Sequence, residues 1–61
     1  MRARDALKLN PGDEVIDKET GESIRVICAF EDRDGHNKPI VMIEGTGTKQ
    51  GYNHWRSDRV K

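Results

Sequence analysis

Turn signals cut this chain into pieces too short for any long helix. Asn10-Pro11-Gly12-Asp13 presets a turn, because Pro fixes φ and Gly supplies a positive one. Glu19-Thr20-Gly21-Glu22 places Gly where a tight hairpin needs it. Asp32 to Lys38 is polar, and Gly45 to Gln50 is rich in Gly and Thr. Between these breaks lie short β-favouring runs: Asp13–Lys18, Ser23–Glu31, Pro39–Glu44 and Gly51–Arg56. Ser57-Asp58-Arg59 suits one helical turn before a closing Val60.

Alternation along the runs sorts their side chains. In SIRVICAFE, Ile24, Val26, Cys28 and Phe30 share one face; Arg25, Ile27, Ala29 and Glu31 share the other. On the third run Val41 and Ile43 point inward, leaving Ile40, Met42 and Glu44 outward. On the fourth, Tyr52, His54 and Arg56 part from Asn53, Trp55 and Ser57. Trp55 is assigned to the core, because Phe30, Tyr52 and Trp55 are the only large aromatics and large side chains dominate burial. The reverse assignment would make Trp55 an exposed recognition residue.

The 61 residues make one domain, 36% charged, with a small apolar set. A chain of this size buries only about 60% of its unfolded surface, and self-association or docking on a larger partner would add stability. The single cysteine, Cys28, forms no internal disulfide and closes no Cys-based metal site. No apolar stretch approaches the ~18 residues of a membrane span, and MRARDALKLN lacks the apolar stretch of a signal peptide. These features predict a cytoplasmic protein of a bacterium or of a phage-infected cell. Net charge is zero but uneven: residues 1–9 carry +2, residues 10–35 carry −5, and residues 45–61 carry +3. A dedicated duplex binder is usually basic over the whole domain.

"LNPGDEV", a hairpin, a long second strand, a loop, a short strand and then "NHWRSDRV" resembles the SH3-like small β-barrels over residues 9–61. The resemblance implies an all-β, five-stranded barrel over residues 10–61. A short N-terminal arm, residues 1–9, precedes it, and a single helical turn precedes the last strand. Leu7 or Leu9 would tuck the arm onto the body. The family implies a habit of binding, without fixing the ligand.

Sites with known chemistry fail on spacing. Gly45, Gly47 and Gly51 with Lys49 match neither a Walker A loop nor GxGxxG, and no helix follows them. They read as loop hinges. Asp32-Arg33-Asp34-Gly35 would put Asn37 where a calcium loop needs Gly and Ile43 where it needs Glu. Cys28, on the face of Ile24 and Val26, reads as a small core hydrophobe and not as a nucleophile served by His36 or His54. Two lone histidines with Asp34 lack metal-ligand spacing. Asp13 and Glu14 face opposite ways on a strand, so they form no acid–base pair. The Val-Gln-Ile-Tyr pore of the barrel-shaped type II dihydrofolate reductases has no counterpart here. The expectation is no enzyme, no cofactor and no metal.

What remains is a surface. If the second, third and fourth runs are neighbours, Ile27, Ile40, Met42 and Tyr52 make an exposed apolar patch with a basic rim of Arg25, His54 and Arg56, and Lys49 is assigned to the same binding surface. The same side chains could instead be a second half of the core beneath the N-terminal arm. As a surface, it suits a protein partner of an accessory module. The alternative is nucleic acid, stacked and gripped by Tyr52, His54, Trp55, Arg56 and Lys49.

Overall fold

The computed structural model describes residues 1–61. A helical turn, α1 (Ala3–Ala6), leads into β1 (Glu14–Ile16), β2 (Ser23–Arg33), β3 (Pro39–Thr46), β4 (His54–Arg56) and a 3-10 turn, Ser57–Arg59. The strands form one antiparallel sheet in the order β1-β2-β3-β4. The sheet curls into a half-barrel that the chain's last residues help close. Val60 makes a single bridge with Asp17, and Ile16 and Lys61 exchange two backbone hydrogen bonds of 2.9 Å. The expected fifth strand is thus reduced to one bridge. No helix is long and apolar enough to cross a membrane.

The turns follow the glycine and proline signals. Gly12 takes φ 94° and Gly21 takes φ 76°. The Asn10–Asp13 turn is fastened to β2, where Gly12 N–H donates to Val26 O at 2.8 Å and Val26 N–H to Asp13 O at 2.7 Å. At the β2–β3 tip, Asp34 Oδ1 accepts the backbone N–H groups of His36 (2.8 Å) and Lys38 (2.9 Å). Those bonds hold the Asp34 carboxyl below its usual range, so this loop spends its acid on its own amides.

Trp55, Ile24, Ile43, Val26, Val60, Val15, Val41 and Ala6 form the buried core. Trp55 is 2% exposed and Val41 and Ile43 point inward, as alternation predicts. The N-terminal arm contributes Ala6 to this core and lays Leu9 against it, while Leu7 stays exposed.

The face assignment of β2 needs correction in its second half. Val26 pairs with Gly45 and Cys28 with Glu44, leaving Ile27 as an extra, unpaired residue. A bulge of this kind shifts every later side chain to the opposite face. Ile24 and Val26 are buried as expected, but Cys28 is exposed and Ala29 takes the inward place. Gly45 is accordingly no loop hinge. It lies buried in β3 opposite the bulge, where a Cβ would overlap Ile24 Cγ2 and stand 2.7 Å from Arg25 O.

Two substitutions test these assignments by urea unfolding. Gly21→Val destabilises by ~1 kcal/mol or more through backbone strain alone, since nothing lies within 4 Å of its missing Cβ. Gly45→Ala costs about 1–3 kcal/mol from overpacking against backbone. An unchanged midpoint for Gly45→Ala would contradict the close approach at the bulge.

Candidate functional site

The bulge sets what the outer face of the sheet displays. Cross-strand pairing puts Cys28, Glu44 and His54 in one row and Phe30, Met42 and Arg56 in the next. The Phe30 ring meets His54 edge-on at 5.8 Å. His54 Nε2 lies 3.6 Å from Glu44 Oε1, and the Cys28 thiol donates to the same oxygen over 3.8 Å. Desolvation first, then the Glu44 charge and hydrogen bond, push this thiol above its ordinary value. That opposes thiolate formation and nucleophilic use.

Beside β4 the surface sinks into an open cavity of about 680 Å³. Met42, Tyr52, His54, Trp55 and Arg56 line one side; Glu19, Asp58 and Arg59 complete it. Four of the residues expected at a binding surface, Met42, Tyr52, His54 and Arg56, therefore come together. The other four do not join them. Ile40 lines an apolar groove with Ala3 and Leu7 of the N-terminal arm. Arg25 lines a polar depression with Glu14 and Thr46. Ile27 is exposed on the bulge. Lys49 sits in the β3–β4 loop, its N–H bound to Glu22 Oε2 at 2.9 Å.

Sequence reasoning missed the ion pair that underlies the cavity. Asp17 is fully buried, and Arg59 grips it with Nε at 3.1 and 3.2 Å and Nη2 at 3.0 Å. Arg59 Nη2 also reaches Glu19 Oε2 at 3.3 Å and donates to the Tyr52 hydroxyl. Gln50 Nε2 adds bonds to Asp17 Oδ2 (3.4 Å) and Glu22 Oε1 (2.7 Å). One signal pointed to the pair: Asp17 follows Val15 by two, so it shares the core-facing side, and an inward carboxylate requires a partner.

Tyr52 packs against Trp55 with ring centroids 5.6 Å apart, while Arg59 lies 5.3 Å from the Tyr52 ring centre. The pair thereby fixes the exposed aromatic of the cavity. Beneath it, Trp55 Nε1 is the single buried side-chain polar atom left without a hydrogen-bond partner.

The Arg59 hydrogen bonds, against the opposing effect of burial, hold Asp17 far below the ordinary carboxylate range; Glu19 N–H and Gln50 assist. A folded pKa below the unfolded one means that the unfolded chain binds the extra proton. The stability Asp17 contributes is complete above the unfolded aspartate value of about 3.9. It is lost as pH falls from there through the depressed folded value. Thermal melts of the wild type therefore lose Tm steadily below about pH 4, with Glu22 and Asp34 shifted the same way. Asp17→Asn is less stable at neutral pH and shows a shallower acid slope. An equal slope in both would contradict the pairing.

No family model matches this chain, and no curated protein or solved structure does.

Proposed function

We propose that this chain is a non-enzymatic binding module, a small β-barrel of the SH3-like kind, that docks on a protein partner as an accessory protein of bacterial or phage origin. The cavity beside β4 is the docking site, and its charge balance carries the reading. Arg59 is countered by Asp17 and Glu19, and Arg56 lies 3.6 Å from Asp58. His54 is matched by Glu44. A nucleic-acid backbone is held by cations free to replace its counterions, and here each basic side chain of the cavity already has a carboxylate. Single-strand binding also draws on exposed aromatic platforms, but Trp55 is 2% exposed, and of the two exposed rings Tyr52 is bonded to Arg59 while His54 is engaged by Glu44 and Phe30. Aromatic and methionine side chains around a balanced polar rim are the composition of a protein-binding core.

The test is capture by the tagged chain from a native lysate, followed by nuclease or protease. The complex survives nuclease, disappears with protease, and is weakened at least ~30-fold by Met42→Asp or Tyr52→Ala, each losing an anchor of about 2 kcal/mol. Circular dichroism checks that both variants fold. A nuclease-sensitive complex, or tight oligonucleotide binding that falls steeply with salt, would favour nucleic acid instead.

A further inference from the structure

The protein-docking reading leaves the chemistry of the docked segment open, and two features of the cavity wall bear on it. The first is the free edge of β4. This strand ends the sheet order, so only one of its edges is paired. Directly opposed residues of an antiparallel ladder alternate between bonded and non-bonded pairs. Gly45 N–H donates to Asn53 O at 3.0 Å, and Ile43 faces Trp55 two residues on. Asn53 and Trp55 therefore turn their main-chain groups toward β3. His54 and Arg56 turn theirs outward, along the cavity they line.

The second feature is the unpaired Trp55 indole N–H. A buried donor without an acceptor is costly, so a ligand that brings one gains by it. The charge of the wall says which acceptor fits. Arg56 and Arg59 stand against Glu19 and Asp58, with Asp17 below as a third carboxylate. Each of these charges already faces an opposite one, so neither an anionic nor a cationic group finds a free counter-charge there, whereas a neutral carbonyl oxygen suits both the indole and the strand edge.

We infer that the partner supplies an uncharged, extended peptide segment that adds to the free edge of β4 and offers a backbone carbonyl to Trp55 Nε1–H. This rests on the protein-docking reading and deepens it. Main-chain bonds to His54 and Arg56 give such a strand its affinity, and alternate side chains give it specificity. Trp55 Nε1 is covered in the free chain, so the carbonyl meets it only when the docking strand displaces Tyr52, the exposed ring packed against Trp55.

The experiment uses a displayed library of random decapeptides panned on the immobilised full chain, with enriched sequences resynthesised in capped form. Uncharged, β-favouring peptides should be enriched. N-methylation of alternate residues should abolish binding in one register and spare it in the other, because only one set of N–H groups faces β4. Trp55→Phe keeps a ring and removes the donor, and should weaken binding at least tenfold. Arg56→Pro gives a second variant: φ is −67° there, which Pro accepts, and the lost N–H lies on the free edge. It should fold and lose binding too.

Enrichment of acidic or basic peptides, equal sensitivity of both N-methyl registers, or unchanged affinity in both variants would each overturn the inference. So would a library yielding no binder, or self-association of the chain through β4. A nuclease-resistant partner complex indifferent to Arg56→Pro would sink this inference while leaving protein docking intact. A nuclease-sensitive one would remove both.

Discussion

Ile27 is the one residue in the middle of β2 without a partner on β3, and the choice of which side chains the sheet buries turns on it. Before Ile27, the even-numbered Ile24 and Val26 point to the core; after it, the odd-numbered Ala29 does. The extra residue also increases local twist and bends the strand, which a sheet of four strands needs in order to curl around Trp55. Gly45 complements the bulge. At the position opposite Val26 the backbones come too close for any Cβ. The outer face then follows: the thiol of Cys28 and the ring of Phe30 join Met42, Glu44, His54 and Arg56 on the surface.

A second constraint closes the half-barrel. The Asp17–Arg59 pair ties the end of β1 to the 3-10 turn, next to the Asp17–Val60 bridge and the bond from Lys18 N–H to Arg59 O. Burying an ion pair is no free gain, since desolvation offsets much of the attraction. What it gives here is geometry. The guanidinium that satisfies Asp17 also bonds Tyr52 and so holds an aromatic ring over Trp55 at the edge of the cavity. Stability and site share one side chain.

Much of the fold was legible because it rests on local chemistry. Pro11-Gly12 and Thr20-Gly21 mark turns that only certain φ values permit, and Val41, Ile43 and Trp55 follow strict alternation. The bulge was not legible, because nothing in RVICAF distinguishes an extra residue from a regular one; only the approach of Gly45 reveals it. Asp17–Arg59 spans 42 positions, beyond any local pattern, although the inward parity of Asp17 hinted at a partner. Of the expected surface residues, Met42, Tyr52, His54 and Arg56 meet because β3 and β4 are neighbours. Ile40 and Arg25 diverge because they lie toward opposite ends of the β2–β3 ladder, Ile40 beside Asp32 and Arg25 beside Thr46.

The bulge is tested most directly at Cys28. Buried on a core face, its thiol would react only through unfolding, at a rate suppressed about a thousandfold or more at ordinary domain stabilities. Exposed on the outer face beside Glu44, it reacts in the folded state, limited only by its raised pKa. The measurement is the rate of labelling by a thiol reagent across pH, in native buffer and in denaturant. The expected result is native labelling within about tenfold of the denatured rate once the pH exceeds the ordinary thiol pKa of about 8.5. Glu44→Gln should accelerate it at neutral pH, because removing the carboxylate charge favours the thiolate. Labelling that stays suppressed until the protein unfolds would place Cys28 in the core and remove the bulge at Ile27.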